Sequence, residues 1–310
     1  MTAAAIADVP LALVGPTASG KTEASLILAQ RLGAEIMSVD SMLVYRGMDV
    51  GTAKPTDADR ARVAHHLIDV VDPSEPFSVA RYQELAKAAI ADIRSRGRRP
   101  LLVGGSGLYL RAAVDELAFP GTDADVRASF EEEATRVGAL AMHGRVERTD
   151  PVAAARIEPG NVRRSIRALE VMELTGRPFS SFATSWETFE PGRVRAAGVT
   201  IDRSILGRRI EMRIQAMVET GLLDEVRGLV GRGFGPWLTS AQAIGYAELS
   251  RHLAGELSLE DAIAATVKRT KALARRQMAF LRRDPRIRWV AASEDGAAGV
   301  VADIAEHLDG

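Results

Sequence analysis

Short apolar runs that end in glycine or aspartate alternate with longer amphipathic stretches over the first third of the chain. Continuous apolar runs predict buried strands, and apolar residues at helical spacing predict helices. We predict strands over residues 11–14, 35–39, 66–71 and 100–103, and helices over residues 22–32 and 78–96. This alternation is typical of an α/β fold with an open parallel sheet, in which ligands bind beyond the carboxyl ends of the strands. Residues 15–22, Asp40 and Ser106 should therefore converge on one crevice.

The pattern changes after about residue 115, where strand signals become rare and glycines separate short helical stretches. We interpret residues 116–191 as a helical insertion domain. Residues 194–201 predict a return to the sheet, and residues 205–283 are again mostly helical before Pro285. The expected organisation is a core formed by residues 1–115 and 192–310, interrupted by the insertion.

Composition excludes several classes of protein. Hydrophobic residues make up 46% and charged residues 26% of the chain, as in an ordinary globular protein. The absence of cysteine excludes disulfides, thiolate metal sites and a thiol nucleophile. Residues 1–8 lack the basic region of a signal peptide, and no apolar run has the length of a membrane span. We expect a cytoplasmic protein without a membrane partner, and a monomer.

Residues 15–22 read Gly-Pro-Thr-Ala-Ser-Gly-Lys-Thr and match the phosphate-loop pattern G-x-x-x-x-G-K-[ST] between a predicted strand and a predicted helix. In this motif backbone N–H groups turn inward around a phosphate, the lysine adds a positive charge and the final hydroxyl can bind Mg²⁺. ATP is the usual ligand, although any diphosphate offers similar oxygens. The predicted phosphate-binding residues are Gly15, Pro16, Thr17, Ala18, Ser19, Gly20, Lys21 and Thr22, with Thr22 as the metal ligand.

Asp40 follows the second predicted strand and should lie beside the phosphate loop. A carboxylate at this position can be a Mg²⁺ ligand, a ribose contact or a general base, or it can simply close a turn. His65 and His66, near the third strand, point to opposite faces of an extended chain, and we interpret them as structural.

Basic residues are concentrated near the C-terminus, although the net charge of the chain is only −1. Lys268, Arg275 and Arg282 repeat at a spacing of seven, and so do Arg269, Arg276 and Arg283. Seven residues are close to two helical turns, so each set should follow one side of a helix. This single-signed surface favours nucleic-acid contact over an ordinary solvated helix face.

Several motifs together resemble those of bacterial tRNA dimethylallyltransferases. The phosphate loop is generic, but the stretch at 38–55, Ser-Val-Asp-Ser-Met-Leu-Val-Tyr-Arg-Gly-Met-Asp-Val-Gly-Thr-Ala-Lys-Pro, is specific to that family. The resemblance continues in Val-Gly-Gly-Ser-Gly-Leu-Tyr at 103–109, Gln-Ala-Ile-Gly-Tyr at 242–246 and Arg-Arg-Gln at 275–277, and it covers about residues 10–285. Ser106 stands where we expect threonine, and Asn161 stands where an acidic residue is usual.

The resemblance implies a P-loop NTPase-like core with a helical insertion, Mg²⁺ as cofactor and dimethylallyl diphosphate as donor. The acceptor would be the exocyclic amine of the adenine on the 3′ side of the anticodon in tRNA. Asp40 would be the general base, and Lys21, Ser106 and Arg213 would complete the catalytic set. The implied tRNA-binding residues are Asp40, Ser41, Met42, Leu43, Ser106, Arg127, Arg163, Arg164, Gln242, Gly245, Tyr246, Arg275, Arg276, Gln277, Arg282 and Arg283.

Two alternatives use the same features. A small-molecule or nucleotide kinase would bind ATP at the phosphate loop. A nucleotide-gated RNA-binding module would bind tRNA without modifying it.

Overall fold

A computed structural model describes residues 9–182, 188–235 and 239–310. The parts of the predicted core and insertion that fall on residues 1–8, 183–187 and 236–238 lie outside the described residues. The chain forms two compact units. The core unit comprises Met1–Asp115 and Glu190–Gly310, and the insertion unit comprises Glu116–Phe189.

A six-stranded parallel sheet with the strand order β3-β2-β4-β1-β5-β6 organises the core unit. The strands are β1 (Leu11–Val14), β2 (Ala34–Ser38), β3 (His65–His66), β4 (Arg99–Gly104), β5 (Arg195–Ile201) and β6 (Ile287–Ala292). Since β1 is central and fully buried, the loop that follows it lies at the middle of the carboxyl edge of the sheet. The parallel α/β class predicted from the sequence is confirmed.

Helices flank the sheet, and several begin at capping residues that the sequence indicated. In the core unit they are Lys21–Leu32, Asp57–Arg62, Val79–Ser95, Gly107–Val114, Arg203–Glu219, Leu222–Val230, Tyr246–Leu253, Leu259–Leu281 and Val301–Asp309. The side chains of Ser78 and Ser258 accept the N–H groups of Arg81 and Asp261, which satisfies donors that the first helical turn leaves open. Gly33 ends the first helix in the left-handed region, with φ of 61°.

The structure differs from the sequence predictions in three places. The strand expected over residues 66–71 extends only over His65–His66, since Leu67 and Asp69 have positive φ and turn the chain. Strand β6 and the helix Val301–Asp309 were not predicted. The long basic helix ends at Leu281, so Arg282 caps it and Arg283 lies in the turn that follows.

The insertion unit is helical and has its own apolar core. Its helices are Ala124–Val137, Ala139–Thr149, Pro151–Ala154 and Val162–Thr175. Phe130, Met142 and Val146 are buried together with residues of the last helix. The buried carboxylate of Glu170 accepts hydrogen bonds from Arg127 and Arg167 at 2.7 and 2.8 Å, so two of the unit's arginines neutralise one interior charge. None of the described helices in either unit is apolar over a length that could cross a membrane.

Candidate diphosphate site

A cavity of about 430 Å³ lies at the carboxyl edge of the sheet in the core unit. Residues of the phosphate loop, Asp40 after β2 and Gly105 after β4 all line it, as expected where parallel strands end. Arg209, Met212 and Arg213 enter the cavity wall from the helix Arg203–Glu219. The predicted convergence with Asp40 is therefore observed for residues 17–22, whereas Gly15 and Pro16 lie outside the lining. Ser106 is outside the cavity lining: it caps the helix Gly107–Val114, where its hydroxyl accepts the N–H of Tyr109 at 3.4 Å.

The phosphate loop has an unusual backbone with two residues in the left-handed region, of which only one is glycine. Gly20 has φ of 86° and Ala18 has φ of 64°, so both lie in the left-handed region. The loop begins with the N–H of Gly15 bound to the carbonyl of Gly104 at 3.3 Å, and the Nζ of Lys21 folds back to the carbonyl of Pro16 at 2.6 Å. These contacts hold the lysine at the start of a helix, whose N-terminus favours anions.

Positive charge dominates the electrostatics around Lys21. Burial and the nearby guanidinium of Arg213 lower the pKa of Lys21 to about 7, and Asp40 opposes them. Burial also lowers the pKa of Arg213, while Asp40 raises it. Two cations and one carboxylate therefore share this part of the wall, and their net positive charge suits a multiply charged anion.

Asp40 is oriented by backbone and side-chain contacts at the end of β2. Its Oδ1 accepts the N–H of Met42 at 2.8 Å, and its own N–H is 3.3 Å from the hydroxyl of Ser38. This arrangement is the turn-closing one that the sequence left open, and it also fixes the carboxylate in the cavity wall. Leu43, three residues later, lines the same cavity.

Two side chains from distant parts of the sequence support the phosphate loop. Arg209 Nε donates to the carbonyl of Ala18 at 2.8 Å, and the Oε1 of Gln277 accepts the N–H of Thr17 at 2.9 Å. The family resemblance implied a tRNA contact for Gln277 and no role in the loop for Arg209. One sequence signal could have indicated a role for Arg209. Its spacing of four from Arg213 places both residues on one side of a helix.

The cavity has a further wall that sequence analysis did not identify. Residues 47–55, which we name the wall loop, contribute Thr52, Ala53 and Pro55 to the lining. His65 lines the cavity as well, and its Nδ1 is 2.8 Å from the carbonyl of Val63. His66 instead pairs with Glu35 at 2.7 Å.

The residues assigned to tRNA fall into distinct surroundings. Tyr246 is fully buried and begins a helix after Gly245, while Gln242 is exposed in the preceding turn. Arg275, Arg276, Arg282 and Arg283 are all exposed, and we name them the basic edge. Within the parts of the chain that the structure describes, no ion pair holds them. Arg269, by contrast, pairs with the buried Glu248, and Lys271 pairs with Glu211 at 2.5 Å.

Three predicted tRNA contacts lie in the insertion unit. Arg163 and Arg164 are exposed in the first turn of the helix Val162–Thr175, and the side chain of Asn161 caps this helix by accepting the N–H of Arg164 at 3.2 Å. Asn161 thus has a structural role. Arg127 is half-buried, and its pairing with Glu170 contributes to the unit's interior.

The chain is similar to one protein family over most of its length. The family model described as IPP transferase matches residues 43–284. A tRNA dimethylallyltransferase from a Nocardioides species is 47% identical over 301 residues, which cover 97% of each chain. One from Bifidobacterium animalis is 45% identical over 304 residues, covering 96% of this chain and 87% of the relative.

Solved structures show the same similarity. The full-length tRNA isopentenylpyrophosphate transferase from Bacillus halodurans has a TM-score of 0.69 and 41% identity, and the match covers 97% of both chains. A eukaryotic dimethylallyltransferase acting on tRNA has a TM-score of 0.75 and 25% identity, with coverage of 92% of this chain and 74% of the other. The chain with this phosphate loop, two cationic side chains and one carboxylate is therefore similar to tRNA dimethylallyltransferases and tRNA isopentenylpyrophosphate transferases.

Proposed function

The chain belongs to the IPP transferase family, and we propose that it transfers a dimethylallyl group from dimethylallyl diphosphate to the exocyclic amine of the adenine 3′ to the anticodon in tRNA. Its relatives are named tRNA dimethylallyltransferases. The observation that carries the proposal is the meeting of Lys21, Arg213 and Asp40 in one cavity. A leaving diphosphate needs the first two side chains, and an attacking amine needs the third.

The departing diphosphate develops most of the charge in this reaction, because the allylic cation that it leaves behind is delocalised. Lys21, Arg213 and inward N–H groups of the phosphate loop stabilise that charge without reorganising. We assign Arg209 and Gln277 to supporting the loop rather than to the reacting atoms, since both contact its backbone.

The adenine amine becomes acidic as its nitrogen attacks the allylic carbon. The carbon–oxygen bond to the diphosphate breaks, the nitrogen–carbon bond forms, and Asp40 accepts the proton that the nitrogen loses. Met42 holds Oδ1, so we assign proton transfer to Oδ2. Help of this kind is worth about 10²–10⁴-fold in rate. The adenine must leave its stack to reach the cavity.

Mg²⁺ fits the oxygen ligands that the site offers. Among the described residues no cluster of three or more histidines and carboxylates could hold a metal. The hydroxyl of Thr22, which lines the cavity, is the protein ligand we assign, with oxygens of the diphosphate and water as the others. Mg²⁺ commonly binds through few protein ligands and substrate phosphates. When bound, the ion neutralises charge on the diphosphate.

The exposed basic residues support contact with tRNA. We assign the basic edge and Arg163 and Arg164 to the phosphates of the tRNA backbone. Tyr246 is buried, so we assign it an indirect role through the residues that it contacts. A monomeric state and a cytoplasmic location stay predictions.

The test is nucleoside analysis of tRNA after incubation with the protein and dimethylallyl diphosphate. We expect a prenylated adenosine in the reaction with wild type. Asp40→Asn should bind pyrophosphate normally and slow single-turnover transfer by about 10²–10⁴-fold, because an amide cannot take the proton.

Three results would contradict the proposal in different ways. Unmodified tRNA with wild type would favour a binding module. ATP-dependent phosphorylation of a small molecule would favour a kinase. An unchanged transfer rate with Asp40→Asn would remove the base assignment alone.

A further inference from the structure

The carboxylate of Glu225 accepts three consecutive backbone N–H groups of the wall loop. Its Oε2 is 2.8 Å from both the Asp49 and the Val50 nitrogens, and its Oε1 is 3.2 Å from the Gly51 nitrogen. Glu225 belongs to the helix Leu222–Val230, far away in the sequence. A charged acceptor strengthens such bonds, so one side chain determines where this segment of backbone lies.

Tyr246 stabilises the contact between Glu225 and the wall loop. Its hydroxyl donates to Oε1 of Glu225 at 2.5 Å, and burial raises the pKa of this phenol, so it stays a proton donor. The ring also packs against Gly51: a Cβ at that position would lie 2.5 Å from Cε2 of Tyr246. Only glycine allows the wall loop to approach the ring so closely.

The position of residues 49–51 determines where the cavity-lining residues of the wall loop lie. The loop is closed on itself by a bond from the Thr52 hydroxyl to the Met48 carbonyl at 2.6 Å and by one from the Lys54 N–H to the Asp49 carbonyl at 3.0 Å. The buried ammonium of Lys54 adds contacts to Asp69 at 2.6 Å and to the Tyr45 carbonyl at 2.7 Å. Because the turn is closed, moving residues 49–51 must also move Thr52, Ala53 and Pro55.

We propose that Glu225, with Tyr246, is a positioning residue that holds the wall loop at the cavity and so orients the reacting groups. The inference rests on the proposed function. The segment it controls offers a hydroxyl, a methyl group and a proline ring to the cavity, whereas the charged groups Lys21, Asp40 and Arg213 lie outside the wall loop. Glu225 should therefore affect the transfer step and leave diphosphate binding unchanged.

The experiment compares Glu225→Gln with the control Asp224→Asn. Asp224 is the neighbouring residue, and its carboxylate pairs with Arg227 on the exposed side of the same helix. We expect Glu225→Gln to lower the single-turnover transfer rate by about 10–100-fold, since a displacement of about 1 Å can have that effect. Pyrophosphate affinity should stay within about twofold of wild type, and Asp224→Asn should match wild type in both measurements.

Two milder variants keep the proposal testable if Glu225→Gln does not fold. Tyr246→Phe removes one hydrogen bond and keeps the ring, so the rate should fall by about 2–10-fold. Glu225→Asp retains the charge and should recover part of the rate lost in Glu225→Gln.

Amide hydrogen exchange gives a readout that does not depend on activity. Exchange at Asp49, Val50 and Gly51 should accelerate in Glu225→Gln and not in Asp224→Asn. Unchanged exchange, or a folded Glu225→Gln with a wild-type transfer rate, would overturn the proposal. A parallel loss of pyrophosphate affinity would also overturn it, by showing a general effect on the site. Absence of prenylated tRNA with wild type would instead refute the proposed function and leave the exchange result interpretable.

Discussion

Lys21, Arg213 and Asp40 show how neighbouring side chains prepare one another for an anionic ligand. Burial lowers the pKa of both cations, Arg213 lowers the pKa of Lys21 further, and the carboxylate raises both pKa values. The pKa of the lysine, about 7, falls within the physiological range. The site is therefore sensitive to pH at Lys21 Nζ.

Donor affinity should decrease as the pH rises above about 7, the pKa that burial and Arg213 give to Lys21. A bound diphosphate stabilises the ammonium and raises that pKa, so binding takes up a proton. The contribution of the Lys21 ammonium to donor affinity is fully present below the pKa of Lys21 in the free enzyme. It is lost as the pH rises toward the pKa of the complex, by up to about tenfold per pH unit. Calorimetric titration with dimethylallyl diphosphate between pH 6 and 9 measures it.

The matched control for this prediction is Lys21→Arg. Arginine stays charged throughout this range, so the variant should show only the titration of the diphosphate itself. Identical pH profiles for wild type and Lys21→Arg would show that Lys21 does not lose its proton in this range.

The helix Leu259–Leu281 has two sides with different contacts. Ala274 is buried against Ile210 and Ile214, and Gln277, one turn later on the same side, holds Thr17 of the phosphate loop. Arg275 and Arg276, which lie between Ala274 and Gln277 in the sequence, are on the exposed side of the helix. A single element therefore contacts the phosphate loop with one face and exposes positive charge on the other.

Charge reversal at Arg275 and Arg276 should weaken tRNA binding and leave pyrophosphate binding unchanged. Each lost phosphate contact should flatten the log–log salt dependence of tRNA affinity by about 0.7–0.9. Filter binding at several ionic strengths measures both effects. A double variant of Arg31 and Arg62 provides the same change in net charge. It is a suitable control because both arginines are exposed, lie in the last turns of their helices and are outside the cavity lining. Equal salt slopes for the two variants would show that the basic edge is an ordinary solvated surface.

At the scale of the whole molecule, the core unit contains every residue that lines the cavity. The chain leaves this unit at Asp115 and returns at Glu190. The guanidinium of Arg286 contacts both points: it donates to the Asp115 carboxylate at 2.6 Å and to the Glu190 carbonyl at 3.4 Å. The two ends of the insertion are therefore close enough for a short linker to join them.

Replacing residues 116–189 with a short Gly-Ser linker should separate the two activities. We expect the shortened protein to bind pyrophosphate within about threefold of wild type, because the cavity is intact, a change of less than 1 kcal/mol. Transfer to tRNA should fall by at least about 10²-fold, since the insertion contributes Arg163 and Arg164 to the proposed contact. Isothermal titration and nucleoside analysis measure the two quantities. A folded protein with full transfer activity would contradict a role of the insertion in tRNA binding.

Much of the fold could be predicted because its signals are local. Apolar runs ending in glycine or aspartate identified β1, β2, β4 and β5, and the phosphate-loop motif placed a strand before it and a helix after it. Strand β6 was missed because Arg288 interrupts its apolar run next to a basic region. The third strand was predicted too long, because positive φ at Leu67 and Asp69 is not evident from apolar residues alone.

The sequence by itself determined that the phosphate loop and Asp40 meet at one cavity, because both belong to short motifs whose strand context brings them to one sheet edge. Only the tertiary structure decided what supports them. Gln277 holds Thr17 across 260 residues of sequence, and Glu225 binds the N–H groups of Asp49, Val50 and Gly51 from another helix. Such contacts have no periodicity and no spacing in the chain. They follow from how separate helices pack against the sheet, which is a property of the folded molecule.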